Sequence, residues 1–273
     1  MLRVMNPLLV VRTLRTKRQL VKQLFLRDFS QRYRGSYLGF LWSVLTPIAY
    51  LAIYTFVFSV VLKARWQHLD VSSSTTYAVA LFAGLVPFTV FSEVANRAPH
   101  LILTVPNYVK KVVFPLEVLP VVALLSALVN GVVGLAILVV SARLLLGPVP
   151  LGNLLLLPLA FVPLIFLCLA VGWTLASLGV YIRDIGQAVG IVVQLIMFLC
   201  PVVYPLSAVP EQFRVVLLAN PLTVTIETIR YLALWNEPPA WKALALWSVV
   251  TAGMAWMSFV WFMKTKKGFA DVL

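Results

Sequence analysis

Residues 35–62 read GSYLGFLWSVLTPIAYLAIYTFVFSVVL, from Gly35 to Leu62 without one charged side chain. A helix of about 20 apolar residues crosses the hydrocarbon of a bilayer. This stretch is long enough to cross with tilt, or with an interfacial turn at one end. Working outward, the same pattern recurs: charge-free runs follow at 71–92, 118–142, 152–182, 185–205 and 243–263. The fourth starts after the turn Gly147-Pro148-Val149-Pro150. The chain is 62% hydrophobic and only 11% charged, whereas soluble domains carry about 25% charged residues. It has too little polar surface to face water on all sides. No run alternates with the period-2 pattern of a membrane barrel, and backbone groups in hydrocarbon must bond within their own segment. The expected fold is an all-α membrane protein, one transmembrane domain over 1–273 with six transmembrane helices.

An even number of spans puts both termini on one side. Of the 22 Lys and Arg, 16 fall in residues 1–34, in the loop after span two, at Arg183 and in the tail, and six fall opposite. Positive residues stay cytoplasmic, so both termini are expected inside. The net charge of +13 is then accounted for by topology and by attraction to anionic lipid headgroups, and no nucleic-acid partner is required. Leu8-Leu9-Val10-Val11 is too short for the core of a signal peptide and lacks a small-residue cleavage site after it, so no removable leader is expected. Cys168 and Cys200 sit singly within spans and read as small apolar filler.

Several segments carry more than apolar length. In 1–34, Leu20, Val21, Leu24 and Phe25 share one helical face, with Lys17, Lys22, Arg27 and Arg32 around the rest, which predicts an amphipathic helix in the interface plane. In span one, Ser43, Thr46, Pro47, Tyr50 and Tyr54 fall in one sector. Their hydroxyls and flat rings suit sugar faces, and helix–helix packing is the competing reading. Tyr37 and Trp42, near the cytoplasmic end, fit an interfacial aromatic belt equally well. In span five, Gln187, Gly190, Gln194, Met197 and Pro201 form a second stripe, readable as interhelical glue or as a solvated wall. Residues 93–117 form a cytoplasmic loop with room for a short helix around Ala95–Val105 between Pro99 and Pro106. Residues 206–242 read as an external re-entrant or gate segment of short helices, including one over Ile226–Trp235 with Glu227 and Arg230.

The sequence also excludes classes. It has no phosphate-binding GxxxxGK[ST] loop, no HExxH and no metal-ligand spacing, so no catalytic or metal residues are expected. His68 and His100 stand alone. No acidic residue lies inside a span, which argues against an ion-coupled transporter.

The run from Arg27-Asp28-Phe29-Ser30-Gln31-Arg32-Tyr33-Arg34-Gly35-Ser36-Tyr37 to Trp42, followed by Pro47 and Tyr54-Thr55-Phe56-Val57-Phe58, resembles the permease subunit of polysaccharide-export ABC transporters. That family exports O-antigen, with teichoic-acid and capsule exporters as relatives. Further matches are Phe114-Pro115-Leu116-Glu117, Arg183-Asp184-Ile185, Pro201-Val202-Val203-Tyr204, Val209-Pro210, Asn220-Pro221 and Ala270-Asp271, in order over nearly the whole chain. The resemblance implies a homodimer in the bacterial inner membrane, bound to two ATPase subunits that hold ATP and Mg; the chain itself needs no cofactor. It implies an interfacial helix near Leu14–Arg34, a coupling helix within Glu93–Pro106 and gate helices within Pro210–Trp235. Spans one and five would wall a channel for a lipid-linked polysaccharide, with Tyr37, Trp42, Thr46, Tyr50, Tyr54, Gln187, Gln194 and Tyr204 along it. Arg27, Asp28, Arg32, Glu93, Asn96 and Arg97 would couple it to the ATPase. The competing readings are another cargo on the same architecture and a membrane-embedded transferase. For the transferase, Asp28, Glu117 and Asp184 are the available carboxylates, and each lies near basic residues where an ion pair is the simpler account.

Overall fold

The computed structural model describes residue 12 and residues 14–61, 74–110, 114–147, 151–235 and 237–273. Leu62, the expected start of span two at 71–73, His68, Pro148–Pro150 and the signal-peptide comparison at Leu8–Val11 lie outside the described residues. Among the described residues every regular element is a helix.

The N-terminal helix α1 spans Arg18–Tyr33. A 3₁₀ turn, Gly39–Leu41, leads into α2, Trp42–Tyr54, which continues as a π-helical segment over Thr55–Val61. Next come α3 (Ser74–Arg97), α4 (Pro106–Lys110) and α5 (Val118–Leu145). The fourth apolar segment is broken into α6 (Leu151–Leu154), α7 (Leu157–Ala160) and α8 (Val162–Tyr181). Pro158 and Pro163 cause the breaks: each sits in the first turn of a helix, where a missing N–H costs nothing. Then follow α9 (Ile185–Leu199), α10 (Glu211–Leu218), α11 (Pro221–Arg230) with a π-helical extension Tyr231–Trp235, α12 (Trp241–Thr265) and the short α13 (Phe269–Val272).

Among the described residues, five helices are long and apolar enough to cross a membrane: Gly39–Val57, Thr75–His100, Val118–Leu145, Gly152–Tyr181 and Trp241–Val272. A sixth crossing arises if α10 and the α11 extension, bent by 99° at Asn220, count as one broken span. The fifth apolar run differs most from its expected bounds. It is helical only over the 15 residues Ile185–Leu199. Cys200 is extended (φ −114°, ψ 150°), because the residue before Pro201 is pushed out of the helical region. Span two differs in the other sense. It runs past Ser92 to Arg97 and through a 3₁₀ turn at Ala98–His100, so Glu93, Asn96 and Arg97 stand on the last turns of α3 and not in a loop. Pro99 ends the α-helical part by falling in the first turn of the 3₁₀ segment.

The buried centre of the bundle is α3. Its Tyr77–Ala98 stretch is largely enclosed by α5, α8, α9 and α11. Small residues permit the close approaches: a Cβ on Gly131 of α5 would come within 2.7 Å of Val90, and one on Gly134 within 3.1 Å of Val86. The longest contact joins α8 and α12. It is fixed by Trp173 edge-on to Phe259 (5.2 Å between centroids), Thr174 bonded to Ser258 (2.9 Å), and Ser177 bonded to Thr265 (2.7 Å). The tail is tied down there too. Phe269 is buried against Phe262 and Tyr181, and Lys266 reaches Glu117 at 2.7 Å.

Candidate functional site

The side of α1 turned to the bundle mixes apolar and charged residues. Leu20, Val21, Leu24 and Phe25 are half-buried, but so are Asp28, Phe29 and Arg32 further along the same side. Positions i, i+4 on a helix share a face, so Leu24, Asp28 and Arg32 form one line. That line packs on α5 and meets the end of α3. Arg97 donates to Asp28 Oδ1 at 2.5 Å and to Glu93 Oε1 at 3.4 Å. Arg32 forks onto both oxygens of Glu93, at 3.1 Å for Oε2. Two polar side chains of α5, also four apart, complete the set: Ser126 donates to Asp28 Oδ2 (2.6 Å) and Asn130 to Glu93 Oε2 (3.0 Å). Every carboxylate oxygen in this network has a donor. The four charged side chains are between 22% and 29% exposed, enough shielding to raise the cost of breaking a pair and enough water to leave room for rearrangement. Of the six residues expected to couple to an ATPase, this network joins Asp28, Arg32, Glu93 and Arg97. Arg27 lies outside it and bonds the Tyr108 hydroxyl on α4 (3.0 Å). Asn96 is exposed, its amide oxygen beside Gly190 of α9.

Directly above the network is a cavity of about 440 Å³ between α2, α3 and α5. Arg32, Glu93 and Asn130 form its polar end, Thr46 and Tyr50 come from the span-one stripe, and Trp42 stands beside them. Pro47 and Ser43 line it as well. Tyr54, one turn on, stacks with Tyr50 at 6.2 Å and packs against the core. The stripe therefore faces into this chain's own bundle as well as outward: Trp42 and Tyr50 each keep nearly half of their surface exposed. Tyr37 is fully exposed. The span-five amides are placed elsewhere. Gln187 and Gln194 are exposed on the outer side of α9, among Ile191, Leu195 and Phe198, which are also exposed. Tyr204 donates its hydroxyl to the Phe198 carbonyl (2.8 Å) and closes the end of α9. Both α2 and α9 lie against α3 with their outer faces open.

At the opposite end of α3 the bent pair α10–α11 is anchored by a buried cation. The guanidinium of Arg230, with no exposed surface, donates to the carbonyls of Ala80 on α3 (3.0 Å) and Val202 (3.0 Å) and to Glu227 (2.7 Å). Gly84 makes the room: a Cβ there would stand 2.9 Å from the guanidinium and 3.1 Å from the Val202 backbone. Asn220 caps α11 by accepting from the Leu222 N–H (3.0 Å) and donates to Cys200 Sγ (3.1 Å). The Tyr77 hydroxyl donates to the Val203 carbonyl. The sequence reading missed Ser126 and Asn130, whose i, i+4 spacing in an apolar span was the available signal. It placed Arg230 on a short external helix without its role as an anchor.

The model of the ABC-2 type transporter membrane family matches residues 19–234. The O-antigen export system permease protein RfbA of Myxococcus xanthus is 28% identical over 264 residues, covering 96% of this chain and 98% of that protein. The protein of the same name from Klebsiella pneumoniae is 25% identical over 248 residues, 90% of this chain and 92% of its own length. The polysialic acid transport protein KpsM of Escherichia coli is 29% identical over 238 residues, 85% and 88% of the two chains. The matched region runs from α1 through the ion-pair network and the cavity to the anchored hairpin, so the chain belongs to the ABC-2 type transporter family.

Proposed function

We propose that this chain is the membrane subunit of an ATP-driven exporter that moves a lipid-linked, O-antigen-like polysaccharide across the bacterial inner membrane, with both termini cytoplasmic. The observation that carries the reading is its likeness, along nearly its whole length, to permeases named for O-antigen export. The active unit is a homodimer with two ATPase subunits, which bind the ATP and Mg. Spans one and five, open on their outer faces, supply the surfaces that meet in the dimer. Trp42 and the stripe residues Thr46, Tyr50 and Tyr54 suit a conduit for sugar, because stacked rings offer many weak contacts and no deep site. The likeness to KpsM favours a capsule-type polymer as the second reading of the cargo. The test is removal of the chain from its host. Surface polysaccharide should disappear while lipid-linked glycan accumulates inside, and normal surface polysaccharide without this chain would end the proposal.

Two pairs of variants probe the parts. Tyr50→Ala and Tyr54→Ala should slow export several-fold while folding and basal ATPase activity stay near normal. If the rings only pack helices, the same changes cost about 2–5 kcal/mol, as for buried large-to-small substitutions, and thermal unfolding of the purified chain separates the outcomes. For the network, Glu93→Gln or Arg97→Ala should leave insertion and ATPase binding intact but lower export per ATP hydrolysed, at a stability cost on the order of 1 kcal/mol because the pairs are partly solvated. Unchanged transport stoichiometry in both variants would remove the network from the coupling path.

A further inference from the structure

Beside the ion-pair network, α1 presents a second surface that the export path leaves unused. Arg18 and Lys22 stand one turn apart, both exposed. They rim a cleft of about 580 Å³ between α1 and α5 whose floor is apolar, formed by Val21 and Phe25 from α1 with Leu128 and Val132 from α5. Neither cation has an acidic partner among the described residues. Asp28 and Glu93, the carboxylates of this region, are already taken by Arg97 and Arg32.

A soluble anion would use the two cations and leave the apolar floor wet. An apolar helix would cover the floor and strand the cations. An amphiphile with an anionic head and a hydrocarbon tail satisfies both parts. Basic pockets beside membrane-spanning helices hold such headgroups, and a guanidinium forks onto phosphate oxygens in a way an ammonium does not. We propose that this cleft binds one anionic phospholipid, its phosphate between Arg18 and Lys22 and an acyl chain along Val21, Phe25, Leu128 and Val132. The lipid clamps α1 onto α5 one turn from Asp28, and so holds the helix that carries half of the ion-pair network. The leaflet follows from the orientation proposed above. The site itself rests only on the geometry of α1 and α5.

The full-length chain, purified in mild detergent and examined by native mass spectrometry, should retain one phosphatidylglycerol in preference to phosphatidylethanolamine. Each basic residue near a headgroup accounts for roughly a five-fold gain, so R18Q/K22Q should weaken retention about thirty-fold. K264Q/K267Q, which removes exposed cations of the tail, should leave it unchanged. Val132→Gln, at the open edge of the floor, should weaken it several-fold with both cations present. Equal retention in R18Q/K22Q, equal loss in the tail variant, or no preference over phosphatidylethanolamine would overturn the proposal. So would displacement of phosphatidylglycerol by an equimolar polyprenyl phosphate. Efficient cross-linking of two copies through a cysteine at position 132 would instead assign the cleft to a chain–chain contact.

Discussion

Replacing Arg230 by methionine should destabilise the chain by about 3–5 kcal/mol, the cost of breaking a buried charged group away from its partners. The side chain has no exposed surface, and three acceptors depend on it: the Ala80 carbonyl, the Val202 carbonyl and Glu227. In R230M the two buried carbonyls lose this donor with no water to replace it, and the partly exposed Glu227 loses its ion pair. Arg230→Lys should fall between, since an ammonium carries charge but cannot span three acceptors in a plane. The double variant R230M/E227L should recover part of the loss, because removing both charges costs less than stranding one. Thermal unfolding in detergent, read together with surface polysaccharide, measures the series. An R230M protein as stable as the parent would show that α10–α11 is held by other contacts.

Gly179→Ala should be the most damaging single-methyl addition in the bundle. A Cβ there would lie 2.1 Å from the Pro99 carbonyl oxygen and 2.8 Å from two further backbone atoms of Pro99. The neighbour is main chain in a 3₁₀ turn and cannot rotate aside, so α8 or the end of α3 must shift. Overpacking typically costs about 1–3 kcal/mol, and a backbone clash of this depth belongs at the top of that range or above. Gly186→Ala is the control. Its Cβ meets the His100 ring at 2.6 Å, but that ring is exposed and free to turn, so the change should be nearly neutral. Because Pro99 follows the α3 turns that carry Glu93 and Arg97, a G179A protein that still inserts should also lose export out of proportion to its amount. Export that falls only in step with protein level would confine Gly179 to packing.

The architecture was legible where a single physical quantity decides it. Gaps between charges point to the five long apolar helices, since charge in hydrocarbon is costly whatever surrounds it. The ends were less legible. Ser92 precedes the first charge after span two, but Glu93 and Arg97 find partners on α1, so the helix continues where a free charge would have stopped it at the interface. In span five the signal was present in Pro201, which fixes the helix end two residues earlier by pushing Cys200 out of the helical region. The site was partly legible. Asp28, Arg32, Glu93 and Arg97 were identifiable as charges near span ends, yet their joining depends on how α1 crosses α5, and no periodicity in either segment encodes that. Ser126 and Asn130 read as ordinary polar residues of an apolar helix until the carboxylates they serve are beside them. The span-one stripe shares one sector by its spacing, but whether a sector faces its own bundle or a neighbour is a tertiary fact. Here Thr46 and Tyr50 line the chain's own cavity with Trp42, and all three keep an open side as well.

The shortness of α9 bears on the wall it would form in the dimer. Fifteen residues rising 1.5 Å each reach only about 22 Å, against a hydrocarbon thickness of about 30 Å. Its neighbours α3 and α8 have no such deficit, with 24 and 20 residues. Nor does the chain make up the difference beyond Leu199, because Cys200 and Val202 turn back into the bundle and are fully buried. In the dimer proposed above, the outer face with Ile191, Leu195 and Phe198 turns to the second copy, so the deficit falls on the channel wall and not on lipid. The longer helices still ask for a bilayer of ordinary thickness. A conduit walled by α9 would then be shorter than the bilayer is thick, and its cargo would leave the narrow part before it had crossed the full depth of the hydrocarbon.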